Sequence, residues 1–236
     1  MKIKLAIITI LFVFSGIFYY QITGNSTKEM QLVKVTRIID GDTFETESGQ
    51  KIRMIGINTP ESKMFLHFES EKFVKELIEN KTVQIQNQGV DKYGRTLAHV
   101  FLNNLHINEE LLKNGYASLY YYEKDSYYKK LSNAEEFARL NKINIWEDSA
   151  DKNCFSLIEL KFKEEIKRCS NKEIVKIKNI CDKDILITIK DDATHIYNEK
   201  IKSNSIFVKN FSCIWNDEGD SLYAWDDKGM VLFYRY

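Results

Sequence analysis

Residues 32–57, LVKVTRIIDGDTFETESGQKIRMIGI, decide the fold class. Residues 32–39 alternate apolar and polar side chains and are rich in β-branched types, and 43–46 and 51–57 continue in the same way. All three read as strands. Asp40-Gly41-Asp42 turns the chain between the first two, and Ser48-Gly49 turns it between the second and third. Working outward, 82–86 and 96–102 are two more strand-like runs. Three helical runs accompany them. Residues 69–80 carry Phe73, Val74, Leu77 and Ile78 on one face. Residues 107–114 end at Gly115, and 126–141 place Tyr127, Leu131, Ala134 and Phe137 inward.

Five short strands joined by links too short for crossover helices favour a small Greek-key barrel of the OB type over a parallel sheet. Beyond a boundary at 148–151, the stretch 157–168 is charged with helical character. The periodicity then becomes two, at 174–180, 185–190, 221–225 and 231–236, with Asp227-Lys228-Gly229 as a hairpin turn. The expected class is therefore α+β: a five-stranded barrel with three helices over 31–149, a linker over 150–172, and an all-β sandwich over 173–236.

Lysine plus arginine equals aspartate plus glutamate, at 34 each, so any polyanion must be bound by a local patch rather than a global field. Lys2 and Lys4 precede an apolar run over 5–20 with no acidic residue before Glu29. That pattern reads as a signal peptide or membrane anchor over 1–30, and so as an extracytoplasmic destination, secreted or anchored. The run falls somewhat short of the ~20 apolar residues of a spanning helix. Four cysteines (Cys154, Cys169, Cys181, Cys213) in an exported chain suggest disulfides, with the pairing open. The four histidines lack metal-ligand spacing and are given no role.

The chemistry concentrates in three blocks: Asp40-Gly41-Asp42-Thr43, Arg53 through Asn58-Thr59-Pro60-Glu61, and Asp91-Lys92-Tyr93-Gly94-Arg95. An Asp-Gly-Asp turn alone is usually only a turn. Asn58 and Glu61, however, follow an apolar strand that has no structural need of them. Asp42, the Asn58 amide and the Thr59 carbonyl are hard oxygen donors suited to Ca²⁺. Glu61 is a candidate base for an attacking water. Arg53 and Arg95 flank the acidic cluster, as guanidinium groups stabilising added phosphate charge would. Lys92 and Tyr93 could hold a terminal phosphate, and one of Tyr120, Tyr121 and Tyr122 could stack a base.

In order and spacing these blocks, together with Asn144-Ile145-Trp146, resemble the thermonuclease, or staphylococcal-nuclease-like, family over about 32–146. The resemblance implies an OB-fold and Ca²⁺-dependent hydrolysis of DNA and RNA to 3′-phosphate products by a monomer. It implies Arg53, Glu61 and Arg95 as catalytic residues, Asp42, Asn58 and Thr59 as the metal site with Asp40 behind it, and Lys92, Tyr93 and Tyr121 as nucleotide contacts. Two departures stand out. Asn58 occupies a position where the best-known motif has aspartate, which removes one charge from the metal site. The loop 62–68 is short and lacks the usual glycine. The segment 173–236 resembles the lamin-tail-like family, an immunoglobulin-like sandwich, through Ile177-Lys178-Asn179, Lys190-Asp191-Asp192-Ala193 and the run 216–223. A non-catalytic nucleic-acid-binding module on the cell surface is the alternative that the Asn58 departure leaves open.

Overall fold

The first strand, β1 (Met30–Asp40), buries Val33, Val35 and Ile38. Strict alternation would point Arg37 inward, but register shifts at Val35/Arg37 and Ile38/Asp40 add a residue and turn Ile38 to the core instead. β2 (Thr43–Thr46) and β3 (Lys51–Met54) pair antiparallel beside it, burying Phe44, Ile52 and Met54. The run expected as one strand over 51–57 breaks at Ile55-Gly56, where Gly56 takes a φ of 80°, and resumes as the two-residue β4 (Ile57–Asn58). After α1 (His67–Ile78), β5 (Thr82–Val90) and β6 (Thr96–Leu102) complete the set. A parallel pairing of β3 with β6, Ile52 to Thr96 and Met54 to Ala98, closes the five strands into a barrel.

β7 (Leu105–His106) leads into α2 (Ile107–Lys113), and β8 (Ser118–Leu119) pairs with β4 before α3 (Tyr128–Leu140). Gly115 ends α2 at a φ of 63°, and a Cβ there would lie 2.1 Å from the Ile143 carbonyl oxygen, so only glycine fits. The expected inward face of α3 is corrected at one position. Phe137 is 48% exposed, and Glu135 is buried in its place. Glu135 accepts the Leu119 N–H at 2.7 Å and pairs with Arg235 from the far end of the chain, which offsets the cost of burying its charge.

The structure is a computed structural model describing residues 30–121, 123–161, 173–212, 214–215 and 219–236. The signal or anchor segment, Cys169 and Cys213 lie outside the described residues. Among the described residues no helix is long and apolar enough to cross a membrane.

Among the described residues seven further strands follow the barrel: β9 (Phe155–Lys161), β10 (Glu173–Asn179), β11 (Ile185–Lys190), β12 (Ile196–Ile201), β13 (Ser205–Phe211), β14 (Ser221–Trp225) and β15 (Met230–Arg235). They form two antiparallel sheets, ordered β13-β10-β9 and β12-β11-β14-β15, over a core of Val175, Ile177, Ile187, Ile189 and Leu222. Of the stretch expected as a linker with helical character, Phe155–Lys161 is a strand, because pairing to β10 satisfies its backbone and turns Phe155 into that core, and 162–172 lie outside the described residues. A disulfide joins Cys154 to Cys181 across the start of this sheet.

Gln31–Tyr236 is one compact unit. Its two halves meet where Ala138, Ile145 and Trp146 pack on Tyr223, Trp225 and Met230. The Trp225 indole donates to the Ile145 carbonyl at 2.8 Å, and Met230 exchanges backbone hydrogen bonds with Glu147 and Ser149.

One feature of the barrel end carries a pH prediction. His106 is buried against His99, stacked on Phe101 and packed against Tyr127, with Lys130 and Asp125 as the other charges nearby. Burial and then the His99 charge push His106 down to about 3. The unfolded chain takes up its proton near pH ~6.5, where the folded chain does not, so stability is lost as pH falls from about 6.5 toward 3. Between pH 7 and pH 5 this group should cost about 1–2 kcal/mol. Urea unfolding at the two pH values should show a smaller loss in His106→Gln than in the wild type.

Candidate active site

The acidic turn sits where it does because Gly41 has no side chain. A Cβ there would lie 2.3 Å from the Ser70 hydroxyl and 2.9 Å from Thr59, so the turn can lie against α1 and the 58–61 segment only with glycine. Asp42 is thereby buried. Its carboxylate accepts the Thr43 hydroxyl at 3.0 Å and both the N–H and hydroxyl of Thr59 at 3.2 Å. Asp40 lies behind it and accepts the Asp42 N–H at 3.0 Å. Burial, then the neighbouring Asp42 charge, pushes Asp40 up to about 7. Two crowded carboxylates of this kind attract a cation.

Arg53 supplies one. It stands opposite Thr43 in the β2–β3 register, and its guanidinium lies 3.1 Å from Asp42, donating also to the Asn58 amide oxygen at 2.5 Å and the Ile57 carbonyl at 2.9 Å. Arg95 enters from the other side. Its Nε pairs with Asp91 at 2.7 Å, and its Nη1 reaches the Thr43 hydroxyl at 3.4 Å. Burial would raise Asp91, but hydrogen bonds from Arg95 and Tyr93 outweigh it and hold the carboxyl below its usual range. Arg95, Thr43, Asp42, Arg53 and Asn58 thus form one connected polar network, drawn from three blocks that together span more than 50 residues of sequence.

Glu61 follows Asn58 by three residues and is exposed to solvent, on the turn closed by the Met64 N–H to its carbonyl at 2.9 Å. The turn has a support that the sequence did not signal: the Nδ1 of His67 bonds the Pro60 carbonyl at 2.8 Å. That carbonyl is an acceptor only, so His67 carries its proton on Nδ1. Lys92 and Tyr93 are exposed on the β5–β6 turn, with the Lys92 ammonium 5.1 Å and the Arg95 guanidinium 5.5 Å from the Tyr93 ring centre. Tyr121 lies apart from the network, its ring against Gly56 and its hydroxyl donating to Asp125 at 3.0 Å. Burial raises both Tyr120 and Tyr121, and at Tyr120 the Arg53 charge opposes the rise. Tyr122 is outside the described residues.

The donor set suits a hard cation. Asp42 supplies carboxylate oxygen, Asn58 an amide oxygen and Thr59 a carbonyl, with Asp40 as a second nearby carboxylate. No three carboxylate, histidine or cysteine side chains converge on one point among the described residues, so backbone and amide oxygens have to complete any such site. Arg53 already bridges Asp42 and Asn58, which shows that positive charge is accommodated between them.

Known proteins share much of the barrel's sequence. The family described as "Staphylococcal nuclease homologue" matches residues 51–148. A thermonuclease of Staphylococcus hyicus is 34% identical over 139 residues, covering 54% of this chain and 82% of the relative. A thermonuclease of Staphylococcus intermedius is 34% identical over 131 residues, covering 50% and 77%. An uncharacterized endonuclease of Haemophilus influenzae is 30% identical over 135 residues, covering 55% and 74%. With its closed five-stranded barrel, its three helices and this extent of shared sequence, the chain belongs to the staphylococcal nuclease homologue family.

Proposed function

We propose that this protein is a calcium-dependent nuclease that hydrolyses phosphodiester bonds of DNA or RNA outside the cytoplasm, leaving 3′-phosphate ends. The observation that carries the reading is the continuous network from Arg95 through Thr43 and Asp42 to Arg53, with the exposed Glu61 three residues after Asn58, which Arg53 also bonds. Arg53 and Arg95 offer their guanidinium groups to the phosphate oxygens, where the negative charge added in the transition state is largest. Glu61 accepts the proton of the attacking water. Attack in line breaks the bond to the 5′-oxygen, which takes a proton from solvent as it leaves. Asp42, Asn58 and the Thr59 carbonyl would hold calcium, whose charge when bound neutralises phosphate and helps position the water. Lys92 and Tyr93 sit where a neighbouring phosphate can be gripped, and stacking on Tyr121 requires its ring to come free of Gly56 and Asp125.

Export is supported by the basic and then apolar N-terminal sequence and by the Cys154–Cys181 disulfide, which persists in oxidising compartments. The strand orders β13-β10-β9 and β12-β11-β14-β15 support an immunoglobulin-like, lamin-tail-like sandwich as an accessory to the barrel. The test is cleavage of end-labelled DNA and RNA oligonucleotides by the wild type and by Glu61→Gln. Loss of the base should slow turnover by about 10²–10⁴-fold. Equal rates for the two proteins would remove Glu61 from the mechanism.

A further inference from the structure

The amide of Asn58 faces two ways. Its oxygen accepts from Arg53, and its nitrogen donates to the backbone carbonyls of Asp192 at 2.7 Å and Ala193 at 3.1 Å, which belong to the turn after β11 in the sandwich. That turn is built to present acceptors. Lys190 is only 3% exposed, and its ammonium gathers the carbonyls of Asp191, Asp192 and Ala193. The Asp191 carboxylate holds His195 at 2.6 Å, the Asp192 N–H donates to Asp220 at 3.0 Å, and the Tyr223 hydroxyl fixes the Asp192 carboxylate at 2.7 Å. Lys190 and Trp225 also wall a small cleft whose opposite side is Asn58, Thr59, Pro60 and Met64, and Glu61 is among the charges acting on Lys190. One rim of the nuclease site is therefore made by the sandwich.

We propose that the sandwich positions the nuclease site, with Asn58 as the anchor and Lys190 as the residue that shapes its socket. The donor set decides why an amide stands here. A carboxylate at this position would set a charged oxygen against two carbonyl oxygens, with no N–H to offer them, and would expel the turn. Asn58 thus trades one negative charge for a fixed link that orients its oxygen toward Arg53, which also faces the Asp42 carboxylate. Asn58→Asp, which on charge alone would strengthen calcium binding, does not do so in this protein. The inference rests on the nuclease reading for its consequences, but the anchor itself is a matter of fold.

The experiment uses the full chain and the variants Asn58→Asp and Lys190→Met. Without metal, Asn58→Asp should lower the thermal unfolding midpoint by about 4 °C or more, since each kcal/mol lost shifts a chain of this size by ~2–4 °C. In calorimetric titration with calcium at 25 °C, well below unfolding, Lys190→Met should bind about tenfold more weakly than the wild type, although it alters no residue of the barrel. A purely structural role for Lys190 would lower the midpoint and leave the calcium dissociation constant where it was. An unchanged midpoint in Asn58→Asp together with tighter calcium binding would overturn the proposal and make Asn58 a weakened ligand beside a passenger domain. A wild type that binds no calcium would count against the nuclease reading, while the midpoint of Asn58→Asp would still decide the anchor.

Discussion

Replacing Arg53 with alanine is expected to cut turnover by about 10²–10³-fold and to weaken the fold as well. The first effect follows from chemistry. A guanidinium that donates two parallel hydrogen bonds to a phosphate matters most when charge is greatest, at the transition state, so kcat should fall more than KM rises. The second follows from the partners that Arg53 leaves behind. Its side chain is 12% exposed, and it is the charge that faces Asp42, the Asn58 amide oxygen and the Ile57 carbonyl together. Removing it leaves Asp42 buried beside Asp40 without its ion-pair partner among the described residues, at a cost of about 3 kcal/mol. Arg53→Lys separates the two effects. An ammonium restores charge near Asp42 but cannot reproduce the planar fork, so urea unfolding should recover toward wild type while turnover stays low. Full recovery of turnover with lysine would mean that charge alone is needed at this position.

Arg235→Ala is the substitution expected to cost the most stability, about 3–5 kcal/mol. Arg235 reaches across from the last strand and forks onto Glu135, its second nitrogen lying 3.1 Å from that carboxylate, while its Nε holds the Ser221 hydroxyl at 2.6 Å and it bonds the Tyr223 hydroxyl at 2.9 Å. The Glu135 side chain is 2% exposed. Without the arginine its charge is left with the Leu119 N–H as its remaining described partner. The double variant Glu135→Leu with Arg235→Met should recover most of the loss, because a buried pair removed as a whole spares both desolvation costs. Denaturant midpoints of the single and double variants check this. Equal losses in both would show that packing, not the unpaired charge, sets the cost.

These two arginines mark what could and could not be read from the chain. Arg53 was legible because it lies within a few residues of Asn58 and Glu61, and strand alternation with a polar cluster after it has no packing explanation. The barrel strands and three helices were legible for a similar reason: their periodicity is local. Arg235 was not, since its partner lies 100 positions away. Without that partner, α3 offers Phe137 as a better core residue than Glu135, and apolar periodicity chooses wrongly. β12 and β13 escaped because polar residues interrupt their apolar positions and their pairing partners, β11 and β10, supply the order. β9 was hidden by its charged neighbours. The same limit applies at the site. Asn58 was visible as a departure, but the carbonyls that use its amide nitrogen come from residues 134 and 135 positions later. His67 carried no signal, because bonding one backbone carbonyl needs no motif.

The most direct test of the nuclease reading is hydrolysis of a defined single-stranded oligonucleotide by protein stripped with EDTA and then titrated with calcium. No cleavage is expected in EDTA, with recovery that saturates with calcium and products ending in 3′-phosphate. Cleavage undiminished by chelation, or products ending in 3′-hydroxyl, would contradict it.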